Sequence, residues 1–127
     1  MRTALAFLPA ALYGGVIFAL SAQADPLSFL PPALLLHDKI LHGLAYAALG
    51  ALLVPGFRVA GCSPRGAFLL AVVIGSLYGG TDEFHQSFVP GRTADVLDWV
   101  ADTLGVALGA SLATAATLAL RRPRAAG

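Results

Sequence analysis

Four apolar stretches, each close to the length of a bilayer crossing, constrain this chain more than any other feature. Thr3 to Ala24 carries no charged residue, and Ile40 to Phe57 is apolar apart from His42 and Tyr46. Gly66 to Thr81 is again uncharged, and Val100 to Leu120 contains one acid, Asp102. A helix needs about 20 such residues to cross roughly 30 Å of hydrocarbon. In lipid the backbone must satisfy its own hydrogen bonds, which favours helices. The stretches also lack the strict alternation of barrel strands. The pattern predicts an all-α integral membrane four-helix bundle, a single domain over residues 1–127, with helices over 3–24, 38–57, 66–86 and 94–120. Pro55 and Gly56 are expected to stop the second helix, and Pro90-Gly91 to turn the chain before the fourth.

Composition agrees. The chain is 57% hydrophobic and 12% charged, against about a quarter charged in soluble domains. A formal net charge of +1 gives no reason to expect a nucleic-acid partner. Cys62 is the only cysteine, so it has no partner for an internal disulfide and no second thiol for a metal site.

The basic residues set an orientation. Arg2 precedes the first stretch, Arg58 and Arg65 lie between the second and third, and Arg121, Arg122 and Arg124 follow the fourth. All fall on one side, unaccompanied by acids, which the positive-inside rule makes cytoplasmic. Every acid lies at or near the other side, together with Lys39 and Arg92. The expected location is therefore the cytoplasmic (inner) membrane, multi-pass, with both termini cytoplasmic and membrane lipids as partners. A competing reading takes Arg2, the apolar run and Ala22-Gln23-Ala24 as a signal peptide with a small-residue cleavage site. The length of the run and the even number of crossings favour a retained span. The stretch from Asp25 to His37 holds Pro26, Pro31 and Pro32, and also Leu27, Phe29, Leu30 and Leu34 to Leu36. It reads as an interfacial connector, or alternatively as a lid over an outer site.

The polar residues fall in stripes. Asp38, His42 and Tyr46 are spaced by four and share one helix face, with Lys39 beside them. Tyr78, Asp82 and His85 share a face at the end of the third helix, flanked by Glu83 and Gln86. Asp95, Asp98 and Asp102 form a stripe on the fourth, continued by Gly105 and Gly109. Asp102 is expected about 10 Å deeper than Asp95. Ionisable groups inside a membrane are costly and face the bundle interior or a water-filled cavity, so three helices aim polar stripes at one outward-opening site. Gly105-x-x-x-Gly109 and Gly75-x-x-x-Gly79 read as packing glycines. Trp99 and Tyr13 read as interface anchors or lipid contacts.

Asp38-Lys39-x-x-His42-x-x-x-Tyr46, the run from Asp82 to Arg92, and Asp95-x-x-Asp98-x-x-x-Asp102-Thr103-x-Gly105 together resemble the VanZ-like family, as does Ser21-x-Gln23. The resemblance covers nearly the whole chain. It departs at Asp102, where the family usually carries Asn, and at His85, a variable position. It implies a bacterial cell-envelope membrane protein, linked through the family's name-giving member to antibiotic resistance against teicoplanin.

The residues admit three chemistries. In the first, a membrane enzyme acts on a lipid-linked or amphiphilic substrate. His42, Asp82, Glu83 and Asp98 are its acid/base candidates, and Arg92 and Lys39 hold an anionic group. Asp38, Tyr46, Gln86, Asp95 and Asp102 complete the binding surface. Ser87 is the nearest nucleophile, and a weak one. In the second, the cluster binds a lipid-linked envelope precursor, a headgroup or a lipoglycopeptide without catalysis, or scaffolds another protein. In the third, Asp82-x-x-His85 and His42 hold a metal. Spacing alone does not establish convergent ligands, so the expectation is no metal and no cofactor. Asp/Arg and Asp/Lys pairs that merely lock helices together stand beside all three. A transporter would need more than four short helices, unless copies assemble into a homo-oligomer.

Overall fold

The computed structural model describes residues 1–26, 28, 31 and 38–120. The connector residues Leu27, Phe29, Leu30 and Leu34 to Leu36, and the basic Arg121, Arg122 and Arg124, lie outside the described residues. Among those described, the chain is all-helical. Its elements are α1 (Arg2–Ala6), α2 (Leu8–Ser21), α3 (Asp38–Val59), α4 (Pro64–Gln86) and α5 (Val96–Leu120). Of these, α3, α4 and α5 are long and apolar enough to cross a membrane, while α2 is a shorter apolar helix.

The helices over 66–86 and 94–120 start at Pro64 and Val96 instead, and two further differences from the sequence expectation have a local cause. The first apolar stretch is not one helix over 3–24 but two, broken at Phe7. Pro9, in the first turn of α2, has no N–H to offer the Leu5 carbonyl, and its ring crowds that group. Pro55-Gly56 does not end the second apolar helix, because α3 runs through both to Val59. Membrane helices tolerate an internal proline where neighbouring helices pack around it. Here Gly56 leaves room for the Phe7 ring, which meets Phe57 edge-on with centroids 5.0 Å apart. The stop lies further on, at Gly61. Its φ of 92° lets Gly61 N–H reach Arg58 O (3.2 Å) and Cys62 N–H reach Phe57 O (3.0 Å), which is the Schellman pattern. Arg58 adds a hydrogen bond to the Cys62 carbonyl. Helix α4 then starts with Ser63 as its cap, the Ser63 Oγ accepting from Gly66 N–H at 3.0 Å, and Pro64 in the first turn.

The packing is inverted relative to a soluble protein. Leu104, Leu108 and Leu112 of α5, Leu69, Val73 and Leu77 of α4, and Ile40 and Leu44 of α3 are all exposed. Ala67, Ala71, Val106, Ala110 and Asp102 are completely buried. Lipid gives no hydrophobic drive between helices, so small residues that permit close van der Waals contact line their interfaces. Helix α3 packs most extensively on α5. Gly105 lies against Gly43, Gly109 against Ala47, and Gly50 against the Val106 backbone. Gly75 and Gly79 bring α4 onto the same helix at Val106 and Asp102. The expected packing role of both glycine pairs is therefore realised. The antiparallel order gathers Arg2, Arg58 and Arg65 at one end, and Ser21, Asp38, Asp82, Asp95 and Asp98 at the other.

Candidate functional site

The polar end is built where the starts of α3 and α5 meet the ends of α2 and α4. After α4, Val89-Pro90-Gly91-Arg92 turns the chain. Arg92 N–H bonds Val89 O at 3.0 Å and Gly91 has φ 83°, the arrangement of a type II turn with Pro and Gly in their preferred places. Asp95 then caps α5, its Oδ1 accepting from Leu97 N–H at 2.8 Å. Glu83 Oε2 accepts from the Asp95 backbone N–H at 2.8 Å, which ties the α5 entry to α4.

Two sets of contacts share this end. In the first, between α3 and α5, Lys39 Nζ lies 2.8 Å from Asp95 Oδ2 and 2.7 Å from Asp98 Oδ1. One turn deeper, His42 Nδ1 lies 3.0 Å from Asp102 Oδ1. Asp95 precedes the span, and the hydrogen bond from Lys39 holds its carboxyl below the usual carboxylate range. In the second set, between α2, α4 and the turn, Ser21 Oγ donates to Asp82 Oδ2 at 2.9 Å. Gln86 Nε2 donates to the same oxygen at 3.1 Å, and Arg92 Nη2 donates to Gln86 Oε1 at 2.6 Å.

Between α2 and α3 opens a cavity of about 320 Å³. Asp38, His42, Tyr46, Asp82, Gln86 and Arg92 give it a polar side, and Ile17, Leu20, Leu41 and Ala45 an apolar one. Asp82, Glu83, Gln86, Asp98 and Asp102 are buried, as is Tyr46. Several polar atoms here have no hydrogen-bond partner among the described residues: Tyr46 Oη, Asp82 Oδ1, Glu83 Oε1 and Asp102 Oδ2. Such groups are costly when left alone.

All the candidate catalytic and binding residues named from sequence sit at this end, but not all in one place. His42, Glu83, Asp98 and Asp102 draw together around the α3–α5 seam. Asp82, Gln86, Arg92 and Tyr46 border the cavity, and Asp38 lies at its exposed rim. Lys39 and Asp95 form the outermost ion pair. His85 stands apart, its ring tilted by 35° against Phe18 with centroids 4.5 Å apart. The pairing of Asp82 and His85 with His42 as metal ligands is therefore corrected. The ligand-capable groups among the described residues are Asp38/His42/Asp98 and His42/Glu83/Asp102, and neither contains Asp82 or His85. A spacing of three put both residues on one helix, but α2 takes up the His85 side of it.

Ser21 entered the sequence reading through the Ser21-x-Gln23 resemblance alone and had no role there, although its hydroxyl completes the Asp82 contacts. That reading also missed two ties between α4 and α5. Ser76 and Thr103 hydroxyls lie 2.8 Å apart, and Trp99 Nε1 donates to Ser76 O at 2.8 Å. Trp99 is thus a helix tie as well as an exposed aromatic.

Helices that show leucine outward and gather acids inside at one end define a membrane protein. The family model described as VanZ/LLP1 matches residues 5–118, and the chain belongs to that family. No curated protein and no solved structure matches it.

Proposed function

We propose that this VanZ/LLP1 protein crosses the bacterial cytoplasmic membrane four times, with α1 and α2 forming the first crossing. Its polar end then faces away from the cytoplasm and takes the anionic or polar headgroup of a lipid-linked or amphiphilic compound. Together α1 and α2 reach about 30 Å, and the hydrogen bonds Ser21–Asp82 and Tyr78 Oη to Gly14 O (2.6 Å) tie α2 to α4. Arg2, Arg58 and Arg65 gathered at one end support the orientation. Alkaline phosphatase fused after Arg92 should be active, and fused at the C-terminus inactive. The opposite pattern rejects this topology.

One observation carries the ligand reading. Arg92 borders the cavity, yet its recorded partner is the neutral amide of Gln86, and it has no ion pair among the described residues. An arginine held by an amide keeps its charge for an incoming anion. The apolar side of the cavity suits the first carbons of an acyl or prenyl tail. Glu83 and the His42–Asp102 pair supply acid/base groups beside it, with Asp82 and Asp98 as further carboxylates. The family resemblance extends the reading to teicoplanin susceptibility. The second reading is binding without reaction, and the ion pairs of Lys39, which serve helix packing as readily as chemistry, favour it.

Arg92→Lys keeps the charge and loses the planar fork. We expect headgroup affinity to fall about tenfold, the loss of one charge-assisted hydrogen bond, with normal amounts in the membrane. Glu83→Gln should remove activity under the enzyme reading and leave much of the phenotype under the binding reading. Lipoglycopeptide susceptibility, measured beside a membrane immunoblot, separates the two. Full phenotype in both variants would remove the charged cluster from the mechanism.

A further inference from the structure

Among the described residues, the buried acids at the polar end outnumber the cations available to them. Asp82, Glu83, Asp98 and Asp102 are all buried. Lys39 is committed to Asp95 and Asp98, and Arg92 bonds an amide. Among the described residues, Asp102 has His42 for one oxygen only, and Glu83 has only the Asp95 backbone N–H. Buried charge persists where it is paired or coordinates a metal.

We infer that His42, Glu83 and Asp102, brought together from α3, α4 and α5, form a binding site for one divalent transition-metal cation. Each offers a ligand atom, and the three atoms lie within 4.8 Å of one another. Asp102 is 0% exposed and Glu83 6%. Each also has a buried oxygen, Asp102 Oδ2 and Glu83 Oε1, without a hydrogen-bond partner among the described residues. Those two unpartnered oxygens, on the same carboxylates that offer ligand atoms, are the independent sign of a ligand, because a bound cation offsets their buried charge.

The neighbouring group, Asp38/His42/Asp98, is a poorer host. Asp38 is exposed, and the Lys39 ammonium stands 2.7 Å from Asp98, where it would repel a second cation. One imidazole nitrogen and two carboxylates suit zinc and its first-row neighbours better than magnesium or calcium, which prefer all-oxygen shells. Three protein ligands leave a coordination position open, the arrangement of catalytic rather than structural sites. His42 lines the cavity, so that position is reached from there. The inference goes beyond the headgroup reading and stands without it. With the ion bound, His42 and Glu83 serve as ligands, and the acid/base role given them above belongs to the metal-free protein alone.

The test uses full-length, untagged protein in detergent, stripped with EDTA and reloaded with Zn²⁺ or, separately, Co²⁺. The expected result is about one Zn²⁺ retained per chain after desalting, and visible absorption bands for the Co²⁺ form. His42→Ala and Glu83→Gln should each weaken retention by at least about tenfold, the least that even an outer-shell change costs. His37→Ala, His85→Ala and Cys62→Ser should retain it. Glu83→Gln conserves volume and the acceptor for Asp95 N–H, so it serves as the test where His42→Ala does not elute as folded protein. Negligible retention by the unmodified protein overturns the inference. So does retention that survives both site variants, or that is lost only with His37, His85 or Cys62.

Discussion

Gly109→Ala should destabilise the folded protein by about 3 kcal/mol, while Gly15→Ala should leave it unchanged or slightly firmer. Both changes add one methyl group to a helix and should gain up to about 1 kcal/mol from helix propensity. The difference lies in what the methyl meets. At Gly109 it would fall onto the backbone carbonyl of Ala47, with the Ala47 Cα 2.9 Å away. Backbone atoms inside a helix cannot swing aside as a side chain can, so α5 must move off α3 as a body. Overpacking of well-packed interiors costs about 1–3 kcal/mol, and this contact sits in the most extensive helix interface of the molecule. At Gly15 nothing lies within 4 Å. Thermal melts of detergent-purified protein, read by size-exclusion, give the comparison. Equal melting of the two variants would mean that the α3–α5 contact is not the close one described.

That contact also shows how far the sequence could be read. Gly105-x-x-x-Gly109 announces a helix that wants a near neighbour, because small residues at that spacing have few other uses. It does not say which helix, and the answer came from Gly43, Ala47 and Gly50 on α3, whose spacing of four and then three was not read as a matching groove. The acids followed the same rule. Spacing placed Asp95, Asp98 and Asp102 on one stripe, and the stripe meets Lys39 and His42. Helical spacing fixes which residues share a face, but not which partner that face turns to. Hence the reading that grouped Asp82 with His85 failed, since two residues on neighbouring azimuths can face different helices. Helix ends were misread where one signal competed with another. Pro55 is a breaker in water, but lipid surroundings let α3 continue to the stronger stop at Gly61. Pro9 sits in a run with no other break, and it divided the first stretch.

The other large effect is expected at Asp102. Asp102→Leu should cost about 3–5 kcal/mol in metal-free protein, the penalty for removing one partner of a buried pair. Asp102 is completely buried and its Oδ1 is the hydrogen-bond partner of His42 Nδ1, whose side chain is 13% exposed. Leucine fills similar space but leaves the imidazole with neither a charge nor an acceptor. Asp102→Asn should be far milder, because an amide oxygen still accepts from an imidazole N–H. The expected order of melting temperature is therefore wild type and Asn together, with Leu well below. A purely steric role predicts instead that Leu and Asn behave alike. The double variant His42→Leu/Asp102→Leu separates the remaining alternatives. Buried ion pairs replaced entirely by apolar groups are often no less stable, since both desolvation penalties vanish together. If the pair acts as a unit, the double variant should melt above the single Asp102→Leu variant, a coupling that independent sites would not produce. Additive losses would mean that His42 and Asp102 contribute to the fold separately, and that their 3.0 Å approach is incidental to what holds α3 against α5.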